Sequence, residues 1–127
     1  FSERLVFLFL HLAMFFKHFK KLEPSKKLQD LFDFIIKQIE LSIREIGYGD
    51  VTVNKKMKDY INLFYYMTEE IEKSDYNDSG DQLFILKKFL NTDRNLEFYA
   101  NYFSKYRLFL AKNTLNSFTK DILSLNF

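Results

Sequence analysis

The chain has no cysteine and no tryptophan, one proline, three glycines and two histidines in 127 residues. Each scarcity closes off a class of protein. Without cysteine there is no disulfide, no thiolate metal site and no cysteine nucleophile, which fits a reducing compartment. So little glycine and proline leaves scant material for the tight turns of an all-β protein. Charge of one sign is also lacking: 19 Lys and Arg stand against 17 Asp and Glu, a net charge of +2. That falls short of a nucleic-acid-binding signature. Nor does any apolar run reach the ~20 residues that span a bilayer. The nearest, "LVFLFLHLAMFF" from Leu5 to Phe16, is interrupted by His11 and followed at once by Lys17, Lys20 and Lys21. It reads as a buried core helix rather than a membrane-surface one.

What the chain does have is ring surface, with 16 Phe and 8 Tyr among 47% hydrophobic residues. A chain of this length buries about two-thirds of its unfolded surface and forms one domain, taken as residues 1–127. Phe1 is not a start methionine, so a preceding N-terminal segment is expected.

Along the chain, Ser2 is placed to cap a first helix running to about Lys21, which Pro24 ends. Ser25 is expected to cap the second. There Leu28, Leu31, Phe32, Ile35, Ile39, Ile43 and Ile46 recur at spacings of three and four, and Gly47 follows where a left-handed residue is wanted. A third helix starts after Asp50 or Thr52 and runs to about Ser74. "SDYNDSGD", Ser74 to Asp81, reads as a loop. A short helix, about Gln82 to Leu90, and a longer one, about Arg94 to Lys112, come next. The longer one has Leu96, Tyr99, Phe103, Tyr106 and Leu110 as its inner stripe. Leu115, Phe118, Ile122 and Leu125 mark a last segment after Asn113 or Thr114. There is no repeat, no low-complexity tract and no alternating strand. The expected fold is all-α, a single bundle of five to six helices.

Catalytic signatures are missing. His11 and His18 share a helix face without further ligand spacing, so no metal site is expected. No Gly-rich phosphate loop, no Gly-x-Ser-x-Gly elbow and no Glu-x-x-His pair occurs. The reading is therefore non-enzymatic, with no catalytic residue and no cofactor. The stretch that stands out is "REIGYGDVTVNKKMKDYINLFYY", residues 44 to 66, which holds two of the three glycines. On a wheel of 100° per residue, Val53, Met57, Tyr60, Ile61 and Phe64 of the third helix face one way. Lys55, Lys58, Asn62 and Tyr65 form a separate flank. Gly47 closing a helix, Arg44 pairing with Asp50 and lysines in solvent are ordinary uses of these residues. Tyr65 and Tyr66 beside the lysines are not needed for any of them.

This block resembles the signature of the ubiquinol–cytochrome c chaperone family, assembly factors for the cytochrome b subunit of respiratory complex III. Arg44, Glu45, Gly47, Gly49, Asp50, Val53, Lys55, Lys58, Phe64 and Tyr65 occupy the places of the family pattern. Ile46 stands for its usual Met, and Tyr66-Met67 for its frequent Gly-Arg. The apolar Leu-His-rich first helix is similar as well, with looser agreement beyond. The resemblance implies a non-catalytic helper that binds newly made cytochrome b, and it implies possible contact with the ribosome or a small partner subunit. Specific DNA binding is not expected, nor a transmembrane span. Abundant Lys, Asn, Ile, Phe and Tyr are read as an AT-rich bacterial genome, which the resemblance implies is alphaproteobacterial, hence a cytoplasmic protein working near the inner membrane. The residues assigned to partner binding are Arg44, Gly47, Gly49, Asp50, Lys55, Lys58 and Tyr65, with Phe64 assigned to packing. An apolar groove lined by one side of the first helix is expected to receive the client. The competing readings are a nucleic-acid- or ribosome-binding module using the same basic corner, and an enzyme with an unfamiliar helical site.

Overall fold

A computed structural model describes residues 2–74, 78–91 and 94–112. Among them are five helices and no strand: α1 Ser2–Phe19, α2 Ser25–Ile46, α3 Asp50–Lys73, α4 Ser79–Leu90 and α5 Leu96–Lys112. The protein is an all-α bundle. The expected last segment after Asn113 lies outside the described residues.

α1 is the core helix, because it is apolar on more faces than a surface helix can use. Phe9, Leu10 and Ala13 are wholly buried, and Met14, Phe15 and Phe19 nearly so. It packs most extensively on α3 and also touches α4 and α5. Ring contacts set the directions. Phe9 and Phe16 meet Phe64 while Lys17 and Lys20 reach the end of α3, so α1 and α3 run the same way. Phe7 meets Tyr99 and His11 meets Tyr106, so α5 runs with them too. α2 runs opposite, Phe32 packing on Phe16 and on Phe64.

Two polar side chains of α1 are drawn inward. The Nδ1–H of His11 donates to the Phe7 carbonyl at 2.7 Å, which leaves Nε2 to accept from the Tyr102 hydroxyl at 2.7 Å. Tyr106 donates to the His11 carbonyl at 2.9 Å. Burial holds the His11 imidazole below its usual pKa. At the far end, Lys17 donates from Nζ to the carbonyls of Ile71 and Ser74 at 2.8 and 2.9 Å, tying the end of α3 to α1.

Helix ends depart from the sequence reading in ways that have local causes. Pro24, not Ser25, is the N-cap of α2, and no side chain caps it. A proline there has the extended backbone an N-cap needs. Gly49 is the N-cap of α3, so neither Asp50 nor Thr52 takes that place. α4 begins earlier than expected, at Ser79, because the Asp78 carboxylate accepts from the backbone N–H of Gly80 and Asp81. α5 carries the expected stripe, with Phe103, Tyr106 and Leu110 buried and Leu96 and Tyr99 half-buried.

Candidate functional site

The corner between α2 and α3 is built on one backbone requirement. Gly47 has φ +106°, and its N–H donates to the Arg44 carbonyl at 3.0 Å. Only glycine takes that conformation without strain. Gly49, with φ −72° and open space where a Cβ would stand, makes no such demand. Across the corner the Arg44 guanidinium donates to the Asp50 carboxylate, and it also reaches Glu40 at 3.5 Å. A hydrogen bond from Lys37, followed by the charge of Arg44, holds the Glu40 carboxyl below the usual carboxylate range. Arg44 and Asp50 therefore do pair across the turn, and both remain exposed.

α3 separates its two faces cleanly. Val53, Met57, Phe64, Met67 and Ile71 are buried, while Tyr60 and Ile61 are half-buried. Phe64 is 3% exposed and packs on Phe9, Phe16 and Phe32, the packing role expected of it. Lys55, Lys58, Asn62 and Tyr65 are exposed on the other side. Lys55 and Lys58 form no ion pair among the described residues. Lys56 lies over the Tyr48 ring, 4.8 Å from its centre. Tyr65, 57% exposed, stands about two turns beyond Lys58 and stacks on Phe32 of α2 at 5.9 Å and 24°. The predicted residues thus form a strip rather than a cluster. Arg44, Gly47, Gly49 and Asp50 make one end, Lys55 and Lys58 the middle, and Tyr65 the other end.

Two shallow apolar grooves flank α2, and α1 lines both, in keeping with the groove expected of it. One, of about 230 Å³, has Phe16, Phe32, Phe64 and Tyr65 on its walls and Lys20 and Glu72 on its rim. Those two charges pair at 3.0 Å. The other, of about 460 Å³, lies between Leu5 and Leu8 of α1 and Ile35 and Ile39 of α2, with Arg4 at its edge. No group of His, Asp and Glu able to hold a metal ion occurs among the described residues, and no described helix is long and apolar enough to cross a membrane.

Sequence reasoning missed three features. Ile46, placed in the inner stripe of α2, is 55% exposed, because the stripe outruns its neighbours at the corner. Lys17 was read as a flanking charge and instead donates to carbonyls at the end of α3, where Ser74 is the C-cap. Val51 was passed over and is 85% exposed. The signal for Val51 was available, since the same wheel puts it in line with Lys55 and Lys58.

Residues 1–96 match the model of a protein family described as ubiquinol-cytochrome C chaperone. No curated protein and no solved structure matches the chain.

Proposed function

This chain belongs to the ubiquinol-cytochrome C chaperone family, and from that membership we propose that it binds newly made cytochrome b and promotes its assembly into complex III. The role that goes with the family is a chaperone's in the assembly of ubiquinol–cytochrome c reductase, which is not an enzyme's. On this reading the protein works on the cytoplasmic side of a bacterial inner membrane, with the ribosome or a small partner subunit as further contacts.

The observation that carries the reading is the face of α3 opposite Val53, Met57 and Phe64. Lys55 and Lys58 stand there in solvent without an ion pair among the described residues, in line with an exposed Tyr65. Exposed ammonium groups suit carboxylates and backbone carbonyls on the loops of a membrane protein, and a half-exposed ring gives contact area at low entropic cost. Tyr65 also forms the lip of the α2–α3 groove, whose apolar walls suit a side chain of the client. Arg44, Gly47, Gly49 and Asp50 hold the corner from which this face rises. Gly47 does so through its backbone, and Arg44 with Asp50 through their ion pair.

The test is co-purification in mild detergent after nuclease treatment. Tagged chain is expected to retain cytochrome b, and Lys55→Glu combined with Lys58→Glu to lose most of it while the circular dichroism spectrum stays unchanged. Normal retention by the double variant would reduce this face to solvated surface. Recovery of RNA without cytochrome b would favour the nucleic-acid reading instead.

A further inference from the structure

Ile43 is the last buried residue of α2 and Val53 the first of α3, and every residue from 44 to 52 between them is exposed. Three of these are large and apolar: Ile46 at 55%, Tyr48 at 43% and Val51 at 85%. No other large apolar side chain among the described residues is as exposed as Val51. Water-facing apolar side chains occur singly on any protein, but here three fall within six residues at one helix corner.

The surroundings of the patch are graded. With Val51 at the origin of a 100° wheel, Lys55, Lys58, Asn62 and Tyr65 all fall within about 40° of it. Lys55 and Lys58 stand about 6 and 10 Å further up the helix axis, at ~1.5 Å per residue. Lys56, about 140° round the helix from Val51, leans over Tyr48. Of the acids nearby, Asp50 is held by Arg44, and Glu45 and Asp59 are exposed. On the stretch of that face from Val51 to Tyr65 only lysines are charged; Glu69, in line further up, pairs with Lys73.

We propose that the α2–α3 corner is a membrane-docking tip. Ile46, Tyr48 and Val51 enter the interfacial layer of a bilayer that carries anionic phospholipid, and Lys55, Lys56 and Lys58 meet its phosphates. Apolar side chains of peripheral proteins bury to about 5–10 Å in that layer, which matches the rise from Val51 to the lysines. Tyr48, a ring with a polar end under a lysine, is of the kind that sits at the interface. No residue from 44 to 60 lines any of the four described cavities. A protein partner would have to supply a matching hollow, whereas a fluid bilayer supplies one anywhere. The inference deepens the client-binding reading and rests on it only for why a bilayer is at hand: a chaperone resting on its tip would present the lysine face sideways to a client leaving that same membrane.

Flotation of the full chain with vesicles, no client present, tests the tip separately from client capture in detergent. The chain is expected to float with vesicles of phosphatidylcholine and phosphatidylglycerol and to stay behind with phosphatidylcholine alone. Val51→Asp should lower the bound fraction about tenfold, the effect of losing one buried aliphatic group. An exposed acidic residue in the first turn of a helix is well tolerated, so this variant keeps its fold. Tyr48→Trp installs the sole tryptophan, whose emission should shift to the blue on anionic vesicles. Absence of flotation, or flotation undiminished by Val51→Asp, overturns the proposal. So does a Val51→Asp variant that floats normally yet no longer retains cytochrome b, which would make the tip a protein contact.

Discussion

α1 and the α2–α3 corner are both rich in apolar side chains, and they dispose of them in opposite ways. In α1 burial extends to groups that resist it: His11 is tied off by a carbonyl and a tyrosine hydroxyl, and the ammonium of Lys17 by two carbonyls. At the corner Val51, Ile46 and Tyr48 stay in water although nothing in their chemistry requires it. The difference lies in position along the bundle, not in composition. A side chain is buried where a neighbouring helix runs alongside, and α2 and α3 continue past the last residues that are covered. Apolar residues at such an overhang stabilise nothing in the monomer, whereas those in α1 supply a larger share of the described core than any other helix.

That contrast can be broken most severely by truncating a core ring. Phe9→Ala should cost about 3–5 kcal/mol in a urea unfolding experiment, and Val51→Ala less than ~0.5 kcal/mol. Equal losses would mean that the corner is covered in solution. A smaller effect separates the two glycines of the corner itself. Gly47→Ala forces a Cβ into the left-handed region and should cost about 1–2 kcal/mol, while Gly49→Ala should be close to neutral in the same measurement. A neutral Gly47→Ala would show that the turn has another conformation.

The smallest expected effect is a pH dependence confined to the α1 side. Burial lowers the pKa of both His11 and His18. The folded state therefore keeps both rings neutral at a pH where the unfolded chain already takes up protons. Stability is constant above the unfolded value of about 6.5 and falls as pH drops through it toward the folded values. Thermal midpoints between neutral and mildly acidic pH should follow this course, and His11→Gln should flatten it. A midpoint that rises on acidification would mean that the rings gain an acidic partner on folding.

Much of the bundle was legible from periodicity. The stripes of α3 and α5, the stop at Gly47 and the role of Phe64 follow from side-chain spacing and from glycine's access to positive φ. What spacing cannot convey is how far a neighbour extends. Ile46 keeps register with Ile39 and Ile43, yet it is exposed because no described residue covers it at that last turn. Lys17 is in register with solvent-seeking lysines, yet it lies where the carbonyls of another helix end. The ends of helices decided both cases, and those ends rest on a proline, a glycine and an aspartate acting as caps. For the candidate site the position of each residue on the wheel was readable, and the apolar tip beneath the lysines was not. Its exposure depends on the overhang.

The Lys17 clamp has a mechanical corollary. It fastens the last turn of α3 to α1, and α3 rises about 36 Å from there back to the corner, at ~1.5 Å per residue. Phe9 and Phe16 hold Phe64 to α1 further up, so α3 is fixed at two levels and only the turn before Val53 overhangs.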